Sequence, residues 1–142
     1  MLEPFFFALG LVNNLALFVI FILRGRRLDL IQRYGWLYLL LGIPTIYAIV
    51  LARQEHRPAQ YTIFLVLYLA FLAVEALYDW ILKVPFREKM DWRLLVPYVA
   101  LYISSSYGFV VMAWRESVSG GLLMLFVTVG QLIANATTHP RR

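Results

Sequence analysis

The chain contains no cysteine, only two histidines and only eight acidic residues among 142. Without thiols it cannot be a disulfide scaffold, a thiol enzyme, an iron–sulfur protein or a zinc protein of any Cys-using pattern. His56 and His139 lie outside the apolar runs, on opposite sides of any membrane those runs would cross, so a buried haem or a His-rich metal site is not expected, and no cofactor is. Charged residues are 15% of the chain, against about 25% in an ordinary soluble domain. Also missing are a Gly-rich phosphate loop, a G-x-S-x-G elbow, an H-E-x-x-H helix and any DNA-reading motif. No pair of equal halves marks the inverted repeats common in secondary transporters.

What the chain has is apolar surface. Hydrophobic residues make up 62% of it and the mean hydropathy is +0.73, more than one small globule could hide in a core. A helix crossing about 30 Å of hydrocarbon needs about 20 mostly apolar residues. Five stretches qualify: 4–23, 35–52, 61–82, 94–114 and 118–135. The sequence therefore predicts an all-α integral membrane protein, a single transmembrane domain of five helices. Gly42 and Pro44 interrupt the second span and Gly120 and Gly121 open the fifth. Both kinds of breaker are tolerated in membrane helices, and Pro44 is expected to kink its own.

The first span is not read as a cleavable signal, because Glu3 precedes it while Arg24, Arg26 and Arg27 follow it, the reverse of the usual order. A net charge of +5 is compatible with nucleic-acid binding, but the cations punctuate apolar runs instead of clustering among polar residues; no nucleic-acid partner is expected. Arg24, Arg26, Arg27, Arg33, Lys83, Arg87, Lys89, Arg93, Arg141 and Arg142 all fall on one side of a five-span topology. The positive-inside rule then puts the N-terminus outside and the C-terminus in the cytoplasm, in a plasma or inner membrane. With a cytoplasmic tail the sequon Asn135-Ala136-Thr137 is never glycosylated. Trp36, Trp80, Trp92 and Trp114, with Tyr34, Tyr61 and Tyr78, fall near span ends and fit an aromatic belt.

Glu75 and Asp79 are the only acids inside a span. Counting about 1.5 Å per residue from the centre of 61–82, Glu75 lies about 5 Å and Asp79 about 11 Å to the cytoplasmic side. An ionised acid near the bilayer centre costs about 2.5–3.5 kcal/mol on insertion scales, so Glu75 must be protonated, paired or facing water. The i, i+4 spacing sets the two carboxyls about 40° apart on one helical face, which Tyr68 shares. Lys83, four residues beyond Asp79, could form an interfacial ion pair with it.

Other spans carry polar stripes at similar depth: Thr128, Gln131 and Asn135 in the fifth, Tyr98, Tyr102 and Ser105 in the fourth, Asn13 and Asn14 at the middle of the first. The outer half holds fewer strongly polar groups: Thr45, Tyr47, Thr62 and Ser119. This asymmetry predicts a polar pocket open to the cytoplasm and closed outward by apolar packing, with Glu75 as titrating or cation-pairing group and Asp79 as second acid. Tyr68, Tyr98, Tyr102, Gln131 and Asn135 are its expected walls. The same groups could instead be interhelical glue, each bond worth roughly 0.6 kcal/mol. Ala100, Ser104 and Gly108 form a row of small residues suited to close helix packing. The loop 83–93 mixes cations with Phe86, Met90 and Trp92, a composition that suits an anionic interface, where Arg87 and Arg93 could grip lipid phosphate.

The expected function is handling of a small molecule, a lipid, or a proton or cation by a carrier or binding protein. Its partners would be the lipid bilayer, a small hydrophobic or cationic ligand, and either a second copy of the chain or a partner membrane subunit. Two other classes fit the same residues: a noncatalytic accessory subunit of a membrane complex, and an intramembrane acid/base enzyme acting on a lipid.

Overall fold

A computed structural model describes residues 1–84, 89 and 91–138, and they are almost wholly helical. Five helices, α1 (Leu2–Arg26), α2 (Leu28–Gln54), α3 (Ala59–Ile81), α4 (Trp92–Glu116) and α5 (Val118–Thr138), are each long and apolar enough to cross a membrane. They follow one another up and down in a ring: α1 packs on α5, α5 on α4, α4 on α3, α3 on α2, and α2 returns to α1, which also touches α4 across the middle.

The largest departure from the expected spans is at α2. Residues 24–34 read as a loop because four arginines crowd them, yet the loop reduces to Arg27 and helix resumes at Leu28. Leu30, Ile31 and Tyr34 recur there at helical spacing and line the groove between α1 and α2. Trp36 accordingly lies roughly 12 Å inside the helix, not at its start. The disturbance expected at Pro44 takes the form of a 3-10 stretch, Gly35–Leu41, just ahead of it. Proline has no N–H to give the Leu40 carbonyl, and tighter winding rearranges the carbonyls that lose α-helical donors. Thr45 Oγ1 donates to the Leu41 carbonyl at 2.6 Å.

Along α1 the buried Leu2, Phe6, Leu9, Asn13, Leu17 and Phe21 recur every three or four residues and form one stripe toward the bundle axis. Lipid is as apolar as leucine, so burying such a stripe gains little from the hydrophobic effect in a membrane; shape complementarity, ring contacts and hydrogen bonds must hold the helices instead. A seam of rings provides much of it. Phe6 meets Tyr61 edge-on with centroids 5.1 Å apart, Phe109 contacts both Phe6 and Tyr68, and Phe71 lies against Tyr98 and Tyr102 at 5.5 and 5.7 Å. The two edge-on pairs, Phe6–Tyr61 and Tyr68–Phe109, contribute about 0.5–1.5 kcal/mol each beyond their area.

Close approach at two glycines completes the packing. A Cβ on Gly121 would stand 2.7 Å from Trp114 Cα, so the α4–α5 hairpin closes only with glycine there. Gly108, the last of the small-residue row, is covered by the Phe64 ring, whereas Ala100, at the other end of the row, is exposed.

Candidate functional site

Polar groups gather in three layers along the axis. At the end that holds the N-terminus, Arg57 pairs with Glu3 and, at 3.4 Å, with Glu55. The terminal amine lies 3.7 Å from both acids, and the Leu2 N–H donates to Glu55 Oε2 at 3.2 Å. Nearby, the Tyr61 hydroxyl donates to Glu116 Oε1 at 2.7 Å. These contacts tie α1, the α2–α3 turn and the end of α4 together. No local pattern announces this cluster, since its members lie in different segments and only folding brings them together.

The middle layer is nearly dry. Tyr38 donates to Asn13 Oδ1 at 2.5 Å. Beside it runs a three-helix chain in which Tyr102 donates to Gln131 Oε1 at 2.6 Å and Gln131 Nε2 donates to Asn14 Oδ1 at 3.3 Å. Asn14 Nδ2 points at Met124 Sδ, 3.2 Å away. Asn13, Asn14 and Gln131 are at most 1% exposed, and each spends its polar capacity on another helix because no water reaches this depth.

The third layer, toward the arginine-rich end, holds most of the expected site. Tyr68 is fully buried; its hydroxyl lies within hydrogen-bonding reach of the Tyr38 hydroxyl, but the contact falls short of a well-formed hydrogen bond. Glu75 and Tyr98 also lie within electrostatic reach of Tyr38. Glu75, Asp79 and Tyr98 are half-buried and each engaged by neighbours. Asn135 is half-buried with its Oδ1 sealed from solvent and unpartnered.

The fold therefore divides the seven expected pocket residues. Tyr68, Glu75 and Tyr98 converge with Tyr38, a residue whose position inside α2 was hidden by the misplaced start of that helix. Tyr102 and Gln131 bond to each other and to Asn14 in the neighbouring chain of hydrogen bonds. Asp79 lies farther along α3 in a π-helical turn, Ala76–Ile81, that begins directly after Glu75. The wider winding breaks the α-helical register assumed for Asp79 and Lys83. Leu82 N bonds to the Leu77 carbonyl and Val84 N to that of Tyr78, and Lys83 takes φ 50° beyond the helix end, so the i+4 pairing of Lys83 with Asp79 loses its geometric basis. Single π turns inside helices are frequent at functional sites.

Of the two phosphate-gripping candidates, Arg93 is exposed in the first turn of α4, where its N–H donates to the capping Asp91 carboxylate at 3.1 Å. Arg87 lies outside the described residues. Among the described residues no group of three His, Asp or Glu side chains could hold a metal ion. Between α1 and α2 lies a groove of about 620 Å³ walled almost entirely by aliphatic side chains. None of the seven expected pocket residues lines it, but Tyr38 does, and the Tyr38 hydroxyl also bonds to Asn13 in the polar layer. Comparison of the chain with protein-family models, with curated proteins and with solved structures finds no match in any of the three.

Proposed function

We propose that the protein is a multi-pass carrier or binding protein of a plasma or inner membrane, oriented with its N-terminus outside. It handles a proton or a small cationic ligand at Glu75, with Tyr68, Tyr98 and Tyr38 around it and Asp79 as second acid on the cytoplasmic path. The observation that carries this reading is the buried Tyr68 hydroxyl, whose contact with the Tyr38 hydroxyl falls short of a well-formed hydrogen bond. Leaving a buried hydroxyl wholly without a partner costs about 1–3 kcal/mol, so an imperfect contact carries part of that cost, and Glu75 lies within electrostatic reach of the same Tyr38. A bound ligand, or water admitted with one, would supply a stronger hydrogen bond. The π turn next to Glu75 supports the same reading, since a helix segment that can rewind is a means of changing access to the acid.

The test uses vesicles enclosing a pH-sensitive dye, given outward gradients of Na⁺, K⁺ or tetramethylammonium in turn. Parent protein should couple one of these gradients to an internal pH change. Glu75→Gln should abolish the signal, and Tyr68→Phe should reduce it, with both variants still folding. A signal undiminished in Glu75→Gln would refute the assignment. The absence of native cysteine permits a clean check of orientation: single cysteines at Arg27 and His56 should label from opposite sides, Arg27→Cys from the cytoplasmic one.

One observation favours a noncatalytic membrane subunit instead: the hydrogen-bond chain Tyr102–Gln131–Asn14 is satisfied within the fold and behaves as a rigid scaffold. A stable heteromeric complex recovered from native membranes, with no gradient-coupled signal from the isolated chain, would select that reading.

A further inference from the structure

The α1–α2 groove combines an apolar trough with a cluster of arginines at one mouth. Val12, Ala16, Val19 and Leu23 form its α1 wall and Leu30 and Leu37 part of the facing wall. From Val12 to Leu23 the wall rises about 16 Å, close to the depth of one leaflet of a hydrocarbon core about 30 Å thick. It begins mid-membrane beside Tyr38 and ends at the α1–α2 turn. There four arginines, Arg24, Arg26, Arg27 and Arg33, are set against one acid, Asp29. Arg26 and Arg27 are exposed, Arg33 lies over the Tyr34 ring at 5.4 Å, and Arg24 sits over Phe21 at 4.8 Å.

We infer that this groove is a binding site for an anionic phospholipid of the arginine-side leaflet, with one acyl chain along α1 and α2 and the phosphate at Arg26 and Arg27. An apolar trough one leaflet long suits an extended acyl chain. The charged mouth selects the headgroup: cations near an anionic surface contribute about 1 kcal/mol each. The site does not depend on the role given to Glu75, since Tyr38 turns its hydroxyl away toward Asn13.

The experiment reconstitutes full-length protein in vesicles of equal phosphatidylglycerol and phosphatidylcholine, extracts it in mild detergent and counts retained lipids by native mass spectrometry. Parent protein should keep one phosphatidylglycerol per chain in clear excess over phosphatidylcholine. Arg26→Gln with Arg27→Gln should reduce that preference roughly thirtyfold, from the per-cation contribution taken twice. Val19→Trp, which fills the groove from a position already exposed to lipid, should remove the retained lipid while all four arginines remain. That separates a groove site from a general attraction of basic loops for anionic lipid. The inference fails if parent protein shows no headgroup preference, if Val19→Trp retains as much phosphatidylglycerol as the parent, or if a lipid-free homodimer forms that Val19→Trp dissociates. The last result would give the groove to a second copy.

Discussion

Replacing Gln131 by leucine removes the central link of the Tyr102–Gln131–Asn14 chain and leaves two buried oxygens facing an apolar side chain. Interhelical hydrogen bonds in membranes average about 0.6 kcal/mol and reach about 1.7 kcal/mol. The Tyr102 bond is short at 2.6 Å with both partners buried, which places it in the upper part of that range; the Asn14 bond, at 3.3 Å, belongs in the lower part. Gln131→Leu should therefore cost about 1–2 kcal/mol and Tyr102→Phe about 1 kcal/mol. Their double variant should lose less than the sum, with a coupling of about 0.5–1 kcal/mol. Reversible unfolding from lipid bicelles by a denaturing detergent, followed through tryptophan fluorescence, measures all three. If these side chains instead lined a wet pocket, each would stay solvated when the other is cut and the coupling would be near zero. A coupling below about 0.2 kcal/mol, or a stabilised Gln131→Leu, would refute the dry chain inferred from the geometry.

The other predictions concern packing and the ion cluster at the N-terminal end. Gly121→Leu should destabilise the bundle by about 1–3 kcal/mol or more in the same unfolding assay, because its Cβ alone would stand 2.7 Å from Trp114 Cα and a backbone cannot step aside as a side chain can. Gly130, with nothing near its Cβ position, is the control: Gly130→Ala should be neutral or slightly stabilising through better helix propensity. Arg57→Ala should cost no more than about 1 kcal/mol, since its partners are partly solvated. The deficit should shrink when the melting temperatures of parent and variant are compared at high salt, which already screens the pair in the parent.

Five helices and their approximate limits were legible in the sequence because membrane insertion is a property of one segment at a time. About 20 apolar residues satisfy their own backbone within a helix wherever neighbours lie. The exception is informative. Residues 28–34 carry Asp29 and Arg33 and read as loop, yet they are helix, with Leu30, Ile31 and Tyr34 on one face toward the α1–α2 groove, a placement that no local hydropathy average contains.

The polar residues divide along the same line. Their number and depth were legible, and so was the oddity of Glu75, because the bilayer makes every such group expensive regardless of context. Which group meets which was not. The i, i+4 relation of Asp79 to Lys83 assumed uniform winding, and the π turn at Ala76–Ile81, followed by Lys83 at φ 50°, breaks it. Tyr102 and Gln131 looked like walls of the same pocket as Glu75, but helix rotation gives them to Asn14 and brings Tyr38 to Tyr68 in their place. Sequence alone thus determined that this chain is a helical bundle fit for a membrane and which side chains cannot face lipid without cost. Tertiary structure decided the pairing of those side chains, because partners on different helices are selected by rotation and close packing, and neither is encoded within a single span.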